Sequence, residues 1–183
     1  MKRLLIVLAL VALSLFGLST TATAASPHFK GNSSPSCTVD FTSSSSASTT
    51  CSGVLAGLGN QTVVVSVTVA GSAVYTCTNK GSNPSPGQNK VLVGPVTGPP
   101  LVIPADQIKN GNLSFTTNPT VLTAPTTVTG AEAGCPNSNW TGTNPVLTIT
   151  SVTLVIEQPP GTVIFRCTST ATITSDTTFS PTC

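Results

Sequence analysis

The stretch TVVVSVTV, residues 62–69, carries the clearest secondary-structure signal in the chain. Its odd positions are all valine, and its even positions are mainly threonine and serine. This alternation with a period of two is typical of a β-strand with one buried face and one solvent face. We therefore expect a strand here, with Val63, Val65, Val67 and Val69 pointing into a core.

Two further pairs of alternating segments predict β-hairpins. Near the C-terminus, Val146–Glu157 and Thr162–Thr174 alternate on either side of the turn residues Gln158-Pro159-Pro160-Gly161. Near the N-terminus, Cys37–Thr42 and Thr49–Ala56 flank a serine-rich loop. Both patterns indicate antiparallel neighbours joined by a turn.

The central part of the chain predicts shorter strands. Gly71-Ser72 reads as a turn that reverses the chain into Ala73–Thr78. Prolines cut the apolar run Lys90–Ile103, which favours edge strands or extended coil. Asn112–Thr117 and Thr126–Gly130 are two further candidate strands.

The fold class follows from composition and from the spacing of these segments. Val, Ile and Thr are abundant, and their β-branched side chains suit a pleated sheet. Several short strands with regular turn signals and no helical periodicity favour a sandwich. We predict an all-β, disulfide-stapled β-sandwich of seven to nine strands with immunoglobulin-like architecture.

Residues 1–25 have the pattern of a secretory signal peptide. Lys2 and Arg3 precede an apolar run, and Ala22-Thr23-Ala24 offers a cleavage site after Ala24 or Ala25. The run is too short for a transmembrane helix, so we expect no transmembrane anchor in the mature chain. The prediction is a secreted, extracellular protein with a polar N-terminal leader, 26–36, and a single β-sandwich domain, 37–183.

The charge balance argues against nucleic acid as a partner. The formal net charge is +2, from seven basic and five acidic residues. Removing Lys2 and Arg3 with the signal leaves five of each sign. A neutral surface releases few counterions from a phosphate backbone, so we predict no nucleic-acid binding.

The cysteines predict structural disulfides. An even number of six in an exported chain, with no C-x-x-C pair, favours disulfides over a metal or redox site. Cys37 and Cys51 lie on the two arms of the N-terminal hairpin, so we expect them to pair, which should contribute about 3 kcal/mol. Fifteen connectivities are open to six cysteines. The six are Cys37, Cys51, Cys77, Cys135, Cys167 and Cys183.

No pattern of catalytic, cofactor or metal-ligating residues is visible in the sequence. The single histidine, His28, lies next to the predicted new N-terminus, where chains are usually loose. Acidic residues occur singly, and no spacing places two of them on one face for hydrolysis or calcium binding. We therefore predict no enzyme activity, no cofactor and no metal.

Trp140 is the candidate binding residue. It is the only tryptophan, and exposed aromatic faces are what sugar-binding surfaces generally use. The competing interpretation is packing in the core beside Cys135. Four N-x-[ST] sequons also occur, and they matter only in a glycosylating host. They begin at Asn32, Asn60, Asn112 and Asn139.

Short motifs spread over most of the mature domain resemble uncharacterised secreted β-rich proteins of high-GC Gram-positive and related filamentous soil bacteria. The motifs are Cys51-Ser52-Gly53, Ala56-Gly57-Leu58-Gly59-Asn60, Cys77-Thr78-Asn79, Gln88-Asn89-Lys90 and Gly134-Cys135-Pro136-Asn137 through Trp140. The resemblance implies a location and a fold and no mechanism. It also implies pairing of Cys77 with Cys135, which leaves Cys167 with Cys183.

The sequence thus predicts a secreted non-enzymatic extracellular structural or binding module. Its partner would be an unknown protein or glycan of the cell envelope or environment, bound by a sheet face or by the loops around Pro84–Pro104 and Cys135–Trp140. Two alternatives stay open, a carboxylate-based secreted hydrolase and a secreted proteinaceous inhibitor. Two acidic groups in a deep pocket would favour the hydrolase. An exposed, rigid loop beside a disulfide would favour the inhibitor. A flat hydroxylated surface without a pocket would favour the structural module.

Overall fold

The computed structural model describes residues 26–183, so the predicted signal peptide, 1–25, lies outside the described residues. These residues are almost entirely β, with one short α-helix, α1 (Gly130–Ala133), and two 3-10 turns, Lys30–Asn32 and Ala105–Gln107. The strands are β1 (His28–Phe29), β2 (Ser36–Ser43), β3 (Ser46–Ala56), β4 (Val63–Thr78), β5 (Pro84–Pro86), β6 (Val91–Thr97), β7 (Leu101–Ile103), β8 (Leu113–Thr116), β9 (Thr120–Thr123), β10 (Val128–Thr129), β11 (Thr141–Glu157), β12 (Val163–Ser169) and β13 (Thr177–Phe179).

The strands form two antiparallel sheets. The first sheet has the order β1-β3-β2-β13, and β8 and β9 also pair with β3. The second sheet has the order β10-β11-β4-β5, β12 also pairs with β11, and β6 and β7 pair with β4. The long strands β4 and β11 run side by side from Val64 opposite Glu157 to Thr78 opposite Thr141. They are the spine of the second sheet.

The core lies between the two sheets and confirms the predicted sandwich. The alternate valines of the opening stretch, Val63, Val65, Val67 and Val69, are at most 2% exposed. They belong to one buried cluster with Cys51 and Leu55 of β3, in the other sheet. Alternation in sequence therefore translates directly into one buried face per sheet, because successive side chains of a strand point to opposite sides.

The number of strands differs from the prediction only in short segments. Eight strands have four or more residues, within the expected seven to nine, and five more have two or three residues. Several of the short ones, including β5 and β7, pair with an edge of a longer strand. The edge strands expected from the proline-cut run Lys90–Ile103 are β6 and β7, which follow each other along β4.

The predicted reversal at Gly71-Ser72 is wrong, because β4 continues without a break to Thr78. Gly71 is buried within the strand, and a Cβ at this position would collide with the carbonyl oxygen of Thr148. The register of β4 shifts beside Gly71 against both of its neighbours. The glycine therefore permits close backbone approach at a strand irregularity, which is the other common use of glycine in strands.

The segment Thr126–Gly130 is only partly a strand. Val128–Thr129 form β10, whereas Gly130 begins α1. The predicted polar leader is also more ordered than expected. His28 and Phe29 pair with β3, and the Phe29 ring lies 4.8 Å from that of Phe165 in the core.

All three predicted disulfides are present, and the described residues contain no free cysteine. Cys37 and Cys51 are direct partners across the β2–β3 hairpin, as the sequence indicated. Three disulfides in an all-β chain fit an extracellular protein. Among residues 26–183, no helix is both long and apolar enough to cross a membrane.

Candidate binding site

An open hollow of about 520 Å³ surrounds Trp140 at one end of the second sheet. It lies where β10, α1 and the start of β11 meet. Trp140 and Val128 supply its apolar lining. One carboxylate, one amide and four hydroxyl groups complete it, from Glu132, Asn139, Thr127, Thr129, Ser138 and Thr141. We call this site the Trp140 hollow.

A capping box fixes the carboxylate of the hollow. The Thr129 backbone nitrogen and hydroxyl donate to Glu132 Oε2 at 2.9 and 2.7 Å, and Glu132 N donates to Thr129 Oγ1 at 3.2 Å. These hydrogen bonds lower the pKa of Glu132 below its usual value, because they stabilise the charged form. Glu132 therefore presents a fixed negative charge to the hollow at neutral pH.

The backbone beneath the hollow is tightly packed. Cys135 is bonded to Cys77 on β4, and its backbone nitrogen donates to Gly130 O at 2.7 Å. A Cβ on Gly130 would lie 2.8 Å from Asn137 O, which is too close for any other residue without movement of the backbone. The disulfide and the glycine together hold α1 against the loop that carries Trp140.

The loop from Cys135 to Trp140 is braced by its own side chains. Asn139 N donates to Asn137 Oδ1 at 2.9 Å, and Trp140 N donates to Asn137 O at 3.1 Å. Pro136 to Asn139 are exposed, whereas Trp140 is half-buried and packs against the core. The indole therefore contacts the core, as one interpretation expected, and also lines an open hollow, while ligand binding by Trp140 stays a prediction.

Tyr75 lies in the core below this end of the sheet. Its hydroxyl donates to Pro125 O at 2.9 Å, and the residue is 2% exposed. Burial raises the pKa of Tyr75, and the negative charge of Glu132 raises it further. Tyr75 therefore stays protonated at neutral pH and packs in the core beneath the hollow.

Threonines continue from the hollow onto the outer face of the second sheet. Thr129 is opposite Thr141, and Thr141 is opposite Thr78. Thr143 and Thr76 form the next row, and the hydroxyls of Thr78 and Thr143 lie 3.2 Å apart. Their neighbours Cys77 and Gly142 are buried, so these five threonines point outward. We call them the threonine band.

A second row of threonines crosses the same face further along. It runs through five aligned positions, and the hydroxyls of Thr68 and Thr97 lie 2.8 Å apart within it. This row is about 30 Å along β4 from the hollow, at about 3.4 Å per residue. Its members are Thr97, Thr68, Thr153, Thr168 and Thr182.

The other residues considered in the sequence lie away from the hollow. His28 is exposed on β1, and its Nδ1 donates to Ser26 O at 3.0 Å. Asp176 Oδ1 accepts from Phe41 N at 2.7 Å, so the fold brings Asp176 beside Asp40, which the sequence spacing did not indicate. Within residues 26–183, no group of three or more potential ligand side chains could hold a metal ion.

The sequence indicates the six disulfide cysteines and makes Trp140 the candidate binding residue, but it does not indicate the other residues that line the hollow. Glu132 was treated as an isolated acidic residue, although Thr129-Gly130-Ala131-Glu132 has the S/T-x-x-E pattern of a capping box. That pattern would have placed a helix start and a fixed carboxylate near Cys135. No protein-family model, curated protein or solved structure matches the chain.

Proposed function

We propose that the protein is a secreted, non-enzymatic extracellular module whose ligand binds in the Trp140 hollow. The observation that carries this proposal is the composition of the hollow. The only tryptophan of the chain borders a fixed carboxylate, an amide and several hydroxyls on one open surface. Apolar surface with a few placed polar groups is typical of ligand sites.

The rigidity of the hollow supports a role in ligand binding. The capping box, the Cys77–Cys135 disulfide and the braced loop fix the backbone around it before any ligand arrives. Preorganised groups lose little conformational entropy on binding. The predicted signal peptide and the three disulfides support an extracellular location.

The test measures binding of the disulfide-bonded protein to isolated cell envelopes from the producing cells. We expect saturable binding, reduced roughly tenfold by Trp140→Ala. Leu92→Ala is the matched control, since Leu92 is 85% exposed on β6 and lies far from the hollow. Binding that is equal in the Trp140→Ala variant and the wild type contradicts the proposal.

Trp140 also packs against the core, so misfolding of Trp140→Ala would also weaken binding. A second variant therefore removes polar groups of the hollow without changing the core. Ser138→Ala with Thr127→Val removes two exposed hydroxyls of the hollow and leaves the indole in place. We expect this double variant to unfold at the wild-type denaturant concentration and to bind more weakly. Unchanged binding in both the tryptophan and the hydroxyl variants places the ligand elsewhere.

A second candidate is a secreted inhibitor that presents the loop from Cys135 to Trp140. The supporting observation is that the exposed residues Pro136 to Asn139 follow directly after the Cys77–Cys135 disulfide and are braced by Asn137. An inhibitor binds a protein, so protease treatment of the envelopes abolishes its binding. Binding that survives this treatment excludes the inhibitor interpretation for this partner.

A further inference from the structure

The chemistry of the Trp140 hollow points to one class of ligand. The indole of Trp140 offers an apolar face with a polar edge, and Val128 extends the apolar surface. The hydroxyl side chains around it both donate and accept hydrogen bonds. A pyranose ring has the matching combination, with an apolar C–H face and hydroxyl groups around its rim.

The charge of the hollow limits the choice among carbohydrates. Glu132 is the only charged residue in its lining, and the capping box holds the carboxylate in its ionised form. Its Oε2 is occupied by Thr129, and Oε1 has no hydrogen-bond donor among the described residues. A sugar hydroxyl can donate to Oε1, whereas a uronic acid or a phosphate would meet repulsion.

The threonine band continues the polar surface of the hollow across the neighbouring strands. Thr129 and Thr141 belong both to the lining of the hollow and to the first row of the band. Thr78 follows in register on the next strand. Neighbouring strands are about 4.8 Å apart, so hydroxyl groups continue from the hollow at short, regular intervals.

We propose that the ligand of the Trp140 hollow is a neutral polysaccharide chain. One pyranose unit stacks on Trp140 with a hydroxyl donating to Glu132, and the chain continues over Thr141 and Thr78. This inference rests on the proposed binding function and gives it a ligand class. It requires no reaction, since the hydrogen bonds and stacking form without breaking a covalent bond.

The experiment measures cosedimentation with insoluble cellulose, chitin and starch, and with cross-linked pectate as the anionic counterpart. The protein is produced without N-glycosylation, because the Asn139-Trp140-Thr141 sequon lies inside the hollow. We expect binding to at least one neutral polysaccharide and none to pectate. Wild-type binding to pectate as tight as to the neutral polymers overturns the proposal.

Two substitutions test the parts of the site separately. Thr141→Val keeps the shape of the side chain and removes its hydroxyl, and we expect roughly threefold to fivefold weaker binding of the polymer. Thr153→Val is its matched control on the distant row and should bind as the wild type does. Equal loss in both variants overturns the placement of the chain over the threonine band.

Glu132→Gln tests the charge. Glutamine also satisfies a capping box, so the fold around the hollow is preserved. We expect pectate to bind this variant better than the wild type. If Glu132→Gln prefers neutral polymers over pectate as strongly as the wild type does, the charge of Glu132 does not set this preference, and its proposed role in excluding anionic sugars is wrong.

Failure of this inference and failure of the proposed function give different results. If envelopes bind through Trp140 but none of the neutral polysaccharides does, the ligand class is wrong and the binding function stands. If neither binds, both are wrong. Binding to a neutral polymer that is lost in Trp140→Ala and retained in Leu92→Ala supports both.

Discussion

The two ends of the β4–β11 pair are built in opposite ways. At the Glu157 end, Gln158 is 8% exposed, and its side-chain amide bonds to the backbone of Gly59 and Gln61. Its Oε1 accepts from Gly59 N at 3.0 Å, and its Nε2 donates to Gly59 O and Gln61 O at 2.8 and 2.9 Å. At the Thr78 end, polar side chains surround the open Trp140 hollow.

The difference separates a structural end from the end at which we propose that a ligand binds. At the Gln158 end, all three hydrogen bonds are made within the protein, which leaves little for a ligand to satisfy. At the Trp140 end, the backbone is fixed by the Cys77–Cys135 disulfide and the capping box, while hydroxyl, amide and carboxylate groups face solvent. A fixed backbone with accessible polar groups favours specific binding, because a ligand can bond to them at little cost in conformational entropy.

The largest effect on stability is expected from the disulfide at the open end. Replacing Cys77 and Cys135 together with alanine should lower the free energy of unfolding by roughly 4 kcal/mol, because the loop they close spans 58 residues. Chemical denaturation measures this loss. The same replacement of Cys37 and Cys51, separated by 14 residues, should cost about 3 kcal/mol. A smaller loss for the first pair would mean that the open end does not depend on its disulfide.

The next effect is expected at the closed end. Gln158→Ala removes three hydrogen bonds and leaves half-buried backbone groups of Gly59 without their side-chain partner, so we expect a loss of about 2 kcal/mol. Gln88→Ala is the control, since Gln88 is exposed and makes one long bond to Pro86 O at 3.4 Å. That control should change stability by less than about 0.5 kcal/mol. Equal small losses in both variants would remove the distinction between the ends.

The capping box at the open end should contribute less. Thr129→Ala removes the side-chain cap, and we expect a loss of about 1 kcal/mol that Thr129→Ser restores. The pKa of Glu132, followed by NMR titration of its carboxyl group, should rise toward its usual value. Since the pKa of Glu132 is lowered in the folded protein, its contribution is present above the unfolded pKa and is lost as pH falls through the folded one. An unchanged pKa in Thr129→Ala would assign the lowering to another cause.

The smallest effect concerns Tyr75 and alkaline pH. Its pKa is raised above 10.0 in the folded protein, so its contribution is fully present below that pH and declines as pH rises toward the folded pKa. The unfolding temperature of the wild type should therefore fall above about pH 10, and that of Tyr75→Phe should fall less steeply. As the only tyrosine, Tyr75 alone gives the phenolate absorbance, which measures its pKa directly. A steeper decline in the variant contradicts this assignment.

The outline of the fold was predictable wherever alternation was long. The opening stretch and the pairing of the C-terminal hairpin were predicted correctly because a period of two has one interpretation once a core exists to bury one face. The second arm of that hairpin was predicted to reach Thr174, whereas β12 ends at Ser169. Gly71 was misread because a glycine inside a strand and a glycine in a turn have the same local signal. Only the neighbouring Thr148 carbonyl, which is distant in sequence, distinguishes them.

The candidate site was predictable only in part. Trp140 was recognised because aromatic residues are scarce in this chain, and the cysteines because exported chains use them in pairs. The meeting of Glu132, Trp140 and Thr78 could not be predicted, since it depends on the register of β4 against β11 and of β11 against β10. Register is set by pairing between distant segments, which local patterns do not encode.

The sequence by itself determined the class of this protein: an all-β chain with alternating strands and six paired cysteines. These properties follow from residue types and local periodicity, which act over a few neighbouring positions. The tertiary structure alone decided that one end of the sandwich is closed by Gln158 and the other opens into the Trp140 hollow. That outcome depends on which distant backbone groups find hydrogen-bond partners, and only the packed sheets settle this.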